Sequence, residues 1–339
     1  MTHHWGLRQL LLTLLLCITA WAIVAAGCVC VGSTTGGPHW PVNKGILAYR
    51  REVVLQASLV GAALAAAGVV YQAILRNPLA DPYLLGVSSG AMLASFLWRF
   101  SSLAMIAASA AALSQQAFSF AGALITIAVV FLLSMRRGKL EPITLLLVGV
   151  IVNSINGSIF LLLNSLNRDI AGGSGGLTTF LIGAIQTNLT AWQQGSAAVA
   201  VAICWLVLLY IAGQLNVAVL GEAEAAALGI RIHRLRWVAL GTASLMTAAA
   251  VAISGPIGFI GLVCPHVARL LVGTDQRRLL PFATAMGAAL LAIADALSRQ
   301  LSSSSLAQTI LPVGVLTGIL GGPFYLLLLW NARQRSHAL

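Results

Sequence analysis

Cys264 and His266 stand two residues apart, a thiol beside an imidazole, in the run SGPIGFIGLVCPHVARLLVG that covers residues 254–273. Side chains of these types build nucleophiles and metal sites. The sequence, however, supplies no H-E-x-x-H pattern, no metal-type CxxC spacing and no partnered base beside them. A histidine packed against a helix break is the plainer reading, and catalysis within the chain is not expected. The acids are Glu52, Asp81, Glu141, Asp169, Glu222, Glu224, Asp275 and Asp295. A proton- or sodium-coupled carrier needs ionisable groups along its pathway. Only Asp295 sits clearly within an apolar run, near its end, which is thin support for a relay. There is also no G-x-x-x-x-G-K-S/T phosphate loop. If ATP powers this chain, a partner must hydrolyse it, and no resident cofactor or metal is expected here.

Four asparagines, Asn153, Asn156, Asn164 and Asn167, recur along one apolar stretch. At the helical period they share a face only approximately. They either line a pathway or bond across to neighbouring helices. The five cysteines, Cys17, Cys28, Cys30, Cys204 and Cys264, lie in or beside apolar runs and read as small buried hydrophobes.

The elements that must position these residues follow from composition. Of 339 residues, 59% are apolar and 8% charged, against about a quarter charged in a soluble domain. The lipid bilayer is therefore the solvent for most of the chain. Apolar windows fall near 10–31, 53–75, 84–98, 103–135, 142–165, 195–213, 237–254, 257–272, 280–298 and 311–330, ten candidate spans in an all-α, polytopic chain. The first is too long for a signal-peptide core and reads as a retained helix. The whole of 1–339 reads as one membrane domain.

The net charge of +11 does not point to nucleic acid, because the basic residues lie between spans. Arg8, Arg76, Arg136, Arg137, Lys139, Arg231, Arg234, Arg236, Arg277, Arg278, Arg333 and Arg335 fall on the side of the N-terminus; Lys44, Arg50, Arg51, Arg99, Arg168 and Arg299 fall on the other. That asymmetry places both termini in the cytoplasm. Small residues at Gly61, Ala65, Gly68, Gly287 and Ala288 predict close helix packing.

Four irregular segments interrupt the pattern. RNPLADPYLLGVSSGA, residues 76–91, is a tight turn in which Asp81 can cap the next element. GGSGGLTTFLIGAIQTN, before the sixth span, reads as a short helix dipping in from the outer face, or as a Gly-rich loop. SGPIGFIG and LPVGVLTGILGGPF break two further spans. LNVAVLGEAEAAALGIRIHRLR, residues 215–236, reads as two short surface helices with small side chains on one face and Gly229 as a stop. Such a surface suits docking into another protein's groove, or it is a solvated connection.

The order R-N-P-L-A-D-P with G-V-S-S-G-A, then L-G-x-x-x-A-x-x-L-G, then G-x-I-x-F-I-G-L-x-x-P-H-x-A-R, then L-P-V-G-V-L-T-x-x-x-G-x-P-F resembles the FecCD permease family. The likeness runs from about residue 45 to the end. These are the membrane subunits of type II ATP-binding-cassette importers for iron-siderophore, haem and cobalamin. The resemblance implies a ten-helix subunit in the bacterial inner membrane, paired with a second copy of itself. It also implies a cytoplasmic ATPase dimer, which holds the ATP and magnesium, and a periplasmic substrate-binding protein. By the same likeness residues 220–229 form the coupling element, with Leu220, Gly221, Glu222, Ala225, Ala226, Leu228 and Gly229 against the ATPase. Arg50 and Arg299 match basic positions that meet acids of the binding protein; interfacial snorkelling is the alternative. Val53 and Ile310 depart from the family pattern, which usually carries an arginine and a glutamate there. Haem or a ferric siderophore is the expected substrate, with cobalamin as the alternative.

Overall fold

A computed structural model of the chain describes residues 7–32, 40–100, 115–136, 139–166, 182–186, 189–220, 222–302 and 311–336. The described helices are α1 (Leu7–Cys30), α2 (Lys44–Ile74), α3 (Val87–Phe100), α4 (Gln115–Leu133), α5 (Pro142–Leu166), α6 (Ala191–Leu220), α7 (Glu222–Ala227), α8 (Ile232–Ser254), α9 (Ile260–Val272), α10 (Gln276–Ser302) and α11 (Val313–Ser336). A 3-10 turn, Pro82–Leu85, precedes α3, and a two-residue antiparallel ribbon joins β1 (Met135–Arg136) to β2 (Lys139–Leu140). Seven helices are long and apolar enough to cross a membrane, and α3, α9 and α11 are shorter apolar helices. Each of the ten expected windows thus has its helix.

The centre of the bundle is α2, whose apolar window is 83% buried. It packs chiefly on α10, α8 and α9, and its composition explains why. Gly61 faces Gly287, and Gly68 faces Gly261, so closely that a Cβ at either position would strike the opposing backbone. No hydrophobic force draws helices together in lipid, so backbone approach through small residues takes its place. A hydrogen bond of 2.5 Å between the Tyr71 and Ser244 hydroxyls ties α2 to α8 inside this core. By contrast, the apolar windows of α1 and α5 are only 6% and 11% buried.

Some boundaries differ from the expectation. α2 begins at Lys44, nine residues before the apolar window, capped by the Asn43 side chain, which accepts from the Gly45 N–H at 2.8 Å. Its polar first turns carry Arg50, Arg51 and Glu52, and a hydropathy window cannot see them. α6 runs through to Leu220, so residues 215–220 are not a separate surface helix. Residues 232–236 likewise belong to α8. The expected pair of short helices is therefore corrected to one, α7. Most of the segment expected to dip from the outer face, residues 172–181 and 187–188, lies outside the described residues, as do Asn167 and Gly221.

Candidate functional site

Two ends of the bundle and one knot of irregular backbone hold the residues singled out above. The short helix α7 ends in a Schellman motif: the Gly229 N–H donates to the Ala226 carbonyl at 3.0 Å and the Ile230 N–H to the Ala225 carbonyl at 2.9 Å. Gly229 stands at φ +74°, which a residue with a Cβ adopts only under strain. Ala225 is fully buried beneath the helix, while Ala226, Leu228 and Gly229 are exposed, as is Leu220 just before it. The element thus presents a face of small side chains that also carries exposed Glu224 and is flanked by two exposed leucines. Behind it a cleft of about 350 Å³ is lined by Gln214, Ile230, Arg231, Arg234 and Val238.

What holds α7 in place was not among the expected site residues. The Arg76 guanidinium donates from Nε and Nη2 to the Ala218 carbonyl at 3.1 and 3.0 Å, capping the C-terminus of α6. Arg76 itself has φ +49°, an unusual conformation fixed by the turn it ends. Two residues earlier on α6, Asn216 Nδ2 donates to Asp275 Oδ1 at 2.7 Å and Asn216 Oδ1 accepts from the Gln276 N–H at 2.7 Å. The end of α6 is therefore pinned to the start of α10 and to the α2–α3 turn just before α7 departs. In that turn Asn77 accepts from the Leu79 N–H at 3.0 Å, and Asp81 caps the 3-10 helix through the Tyr83 N–H at 2.8 Å. Burial pushes the Asp81 carboxyl up to about 6, against the stabilising pull of that N–H.

The irregular segments converge. The Ile257 N–H donates to the Tyr83 hydroxyl at 2.9 Å, joining the α8–α9 break to the 3-10 turn. The Ala184 N–H donates to the Ser254 carbonyl at 2.9 Å, and the Gly314 N–H to the Gly183 carbonyl at 2.8 Å. Gly183 and Gly314 permit this, because a Cβ on either would collide with the facing backbone. Phe259 lies over Gly321, and His266 meets the ring of Phe324 edge-on at 6.5 Å. His266 is thus a packing residue here. Cys264 is 1% exposed, and no group of three or more His, Cys, Asp and Glu side chains occurs among the described residues. Arg269, in the last turn of α9, donates to Gln72 Oε1 at 3.0 Å.

At the other end, Arg50 is 2% exposed, and its Nη1 donates to the carbonyls of Val29 and Cys30, both at 3.2 Å. Arg299 pairs with Asp295 at 2.8 Å and reaches the Val31 carbonyl at 3.4 Å. Both arginines therefore turn inward and close on the last carbonyls of α1. Lys44 and Arg51 are the exposed cations beside them. On α5, Asn156 bonds across helices to Ser89 and Thr126, each at 3.3 Å, whereas Asn153 is exposed and Asn164 half-buried.

Among the described residues, ten apolar helices, three of them short, with broken spans joined by hydrogen bonds and a small surface helix at one end, make a multi-pass membrane protein. Residues 9–331 match the model of the FecCD transport family, and the chain belongs to that family. It is 38% identical over 287 residues to the cobalamin import system permease protein BtuC of Halobacterium salinarum, covering 84% of this chain and 72% of that one. It is 38% identical over 298 residues to the hemin transport system permease protein HmuU of Yersinia pestis, covering 83% and 82%. A solved ABC transporter in an inward-facing conformation superposes with a TM-score of 0.78 at 28% identity, over 94% of this chain and 98% of that one. The chain is an ABC importer permease of this family.

Proposed function

We propose that the chain moves a haem or ferric-siderophore type iron complex from periplasm to cytoplasm by alternating access, driven by a separate ATPase dimer. Both termini lie in the cytoplasm in this reading, as the excess of basic residues on their side favours. The observation that carries it is α7: an exposed face of small side chains, Schellman-capped, on a base that ties α6, α10 and the α2–α3 turn together. A push on α7 then reaches three parts of the bundle at once. ATP and magnesium act on the partner, and this chain receives the motion.

A second copy would cover α5, whose large exposed apolar surface surrounds the exposed amide of Asn153. An amide in that setting needs a wet or polar neighbour, and a central conduit between two copies supplies one. Asn153 and Asn164 are the candidates for lining it. The periplasmic binding protein would dock at the outer end of α1, where Lys44 and Arg51 offer exposed charge. Arg50 and Arg299 contribute there by holding that end in place. An ion-coupled carrier is the less favoured class, because Asp295, the acid within a span, is neutralised by Arg299. Cobalamin is the alternative substrate, since relatives named for cobalamin and for hemin are equally identical to this chain.

The test is bulk at α7. Ala226→Trp should abolish uptake while the ATPase keeps hydrolysing and the thermal midpoint of the permease stays unchanged. Normal uptake in that variant would remove the coupling role. Uptake of haem, a ferric siderophore and cobalamin, each with the cognate binding protein, decides the substrate.

A further inference from the structure

An apolar groove of about 480 Å³ runs along the seam of α1, α2, α6 and α10, walled by Ile18, Trp21, Leu59, Trp205, Pro281 and Ala285. Apart from the buried thiol of Cys17, the polar side chains that line it among the described residues are already satisfied. Trp21 Nε1 donates to Ser58 Oγ at 2.9 Å, and Trp205 Nε1 donates to Thr284 Oγ1 at 3.0 Å. What remains is hydrocarbon surface with no donor or acceptor to offer, suited to an alkyl chain and unsuited to a polar solute.

One end of this seam is positive. The Arg277 guanidinium lies across the α6–α10 contact over Gly213, where a Cβ would come within 2.6 Å of its Nη2. Arg277 is exposed, and its side chain has no hydrogen bond or ion pair among the described residues. The neighbouring acid, Asp275, is occupied by Asn216 and by the Arg277 N–H. Seven residues separate Arg277 from Thr284, roughly 10 Å along the helix, so the charge sits at the mouth of the groove. α1 runs parallel to α10, since its last carbonyls meet Arg299 and Ile18 lines the groove with Ala285. That register puts exposed Arg8 level with the start of α10. Two cations thus stand at the membrane surface over an apolar slot.

We propose that this groove is a binding site for an anionic phospholipid of the leaflet on the α7 side. One acyl chain lies along Trp21 and Trp205, and the headgroup phosphate is held by Arg277, with Arg8 adding to the field. A guanidinium recognises phosphate by paired, charge-assisted hydrogen bonds, and basic residues at the cytoplasmic edge of helix seams select anionic headgroups. The ligand would brace α1, which buries little of its own surface, against the helices that carry α7.

The experiment is native mass spectrometry of the full-length permease released from nanodiscs containing equal phosphatidylglycerol and phosphatidylcholine. The wild type should retain phosphatidylglycerol over phosphatidylcholine by about fivefold. Arg277→Gln should bring the two to parity without loss of fold, and Arg277→Lys should keep most of the preference. Ala285→Trp, which fills the slot, should remove the retained lipid of both kinds. Three results would each overturn the proposal: no headgroup preference in the wild type, an unchanged preference in Arg277→Gln, or unchanged lipid retention in a folded Ala285→Trp. The last would mean ordinary annular lipid or an occupant of another kind.

Discussion

Arg50 and Arg76 lie near opposite ends of α2, and each spends its guanidinium on the final carbonyls of another helix: Val29 and Cys30 of α1 for the first, Ala218 of α6 for the second. A helix C-terminus leaves its last carbonyls unpaired and carries partial negative charge, so a cation placed there satisfies both. Around Arg50 the neighbourhood remains charged, with the Arg299–Asp295 pair beneath and Lys44 and Arg51 exposed beside it. Around Arg76 the nearest polar groups bond to one another, and what projects is α7 with its small side chains, with the exposed cations Arg231 and Arg234 in the cleft behind it. Under the proposed function, the Arg50 end would meet its partner chiefly by charge, and the α7 end would be gripped chiefly by shape. The first should respond to salt, the second to bulk.

The largest effect is expected at Arg76. Arg76→Ala removes two hydrogen bonds from a cation to a helix-end carbonyl, at a cost of about 2–3 kcal/mol. A lower thermal midpoint and weakened coupling of ATP hydrolysis to uptake are expected, with binding-protein affinity unchanged. Loss of that affinity instead would show that the two ends are not separate. The next effect in size is at Arg50. Arg50→Ala should loosen the C-terminal end of α1 and speed reaction of half-buried Cys30 with a thiol reagent, while Arg50→Lys should restore part of the protection. An unchanged reaction rate would mean that the α1 end is held by packing alone.

Salt sharpens the same contrast. Raising ionic strength from about 0.01 M to 1 M shortens the screening length roughly tenfold. Binding-protein affinity should fall steeply across that range, and ATPase affinity should fall less. Equal sensitivity at both ends would dissolve the distinction. The smallest effect expected is at Asp81. Its carboxyl is raised to about 6, so the folded chain favours the neutral acid, and this residue's contribution to stability grows as pH falls through 6 toward the ordinary carboxylate value. Asp81→Asn keeps an acceptor for the Tyr83 N–H and should flatten that part of the pH profile, by about 2 °C in thermal midpoint.

Much of this was legible in the sequence because its signals are local. Ten apolar runs became ten helices, Asp81 capped the turn after it, and Gly229 took the left-handed position that ends α7. The facing glycines at Gly61 and Gly287 packed as their size predicted. Arg76, Asn216 and Asp275 were not legible, since their bonds join positions 142 and 59 residues apart and leave no periodic mark. The inward turn of Arg50 was hidden for a related reason: a sequence shows that a charge is present and not which carbonyl it meets. The ends of α6 and α8 were misjudged because hydropathy reports where lipid ends, and these helices continue past it.

The central claim is that α7 is a cytoplasmic element gripped by an ATPase. Its most direct test is Ala226→Cys in a Cys30→Ser background, labelled with a membrane-impermeant maleimide in inverted and right-side-out vesicles. Labelling in inverted vesicles alone, suppressed when the ATPase subunits are bound, is the predicted result. Labelling from the periplasmic face, or labelling indifferent to the ATPase, would contradict it.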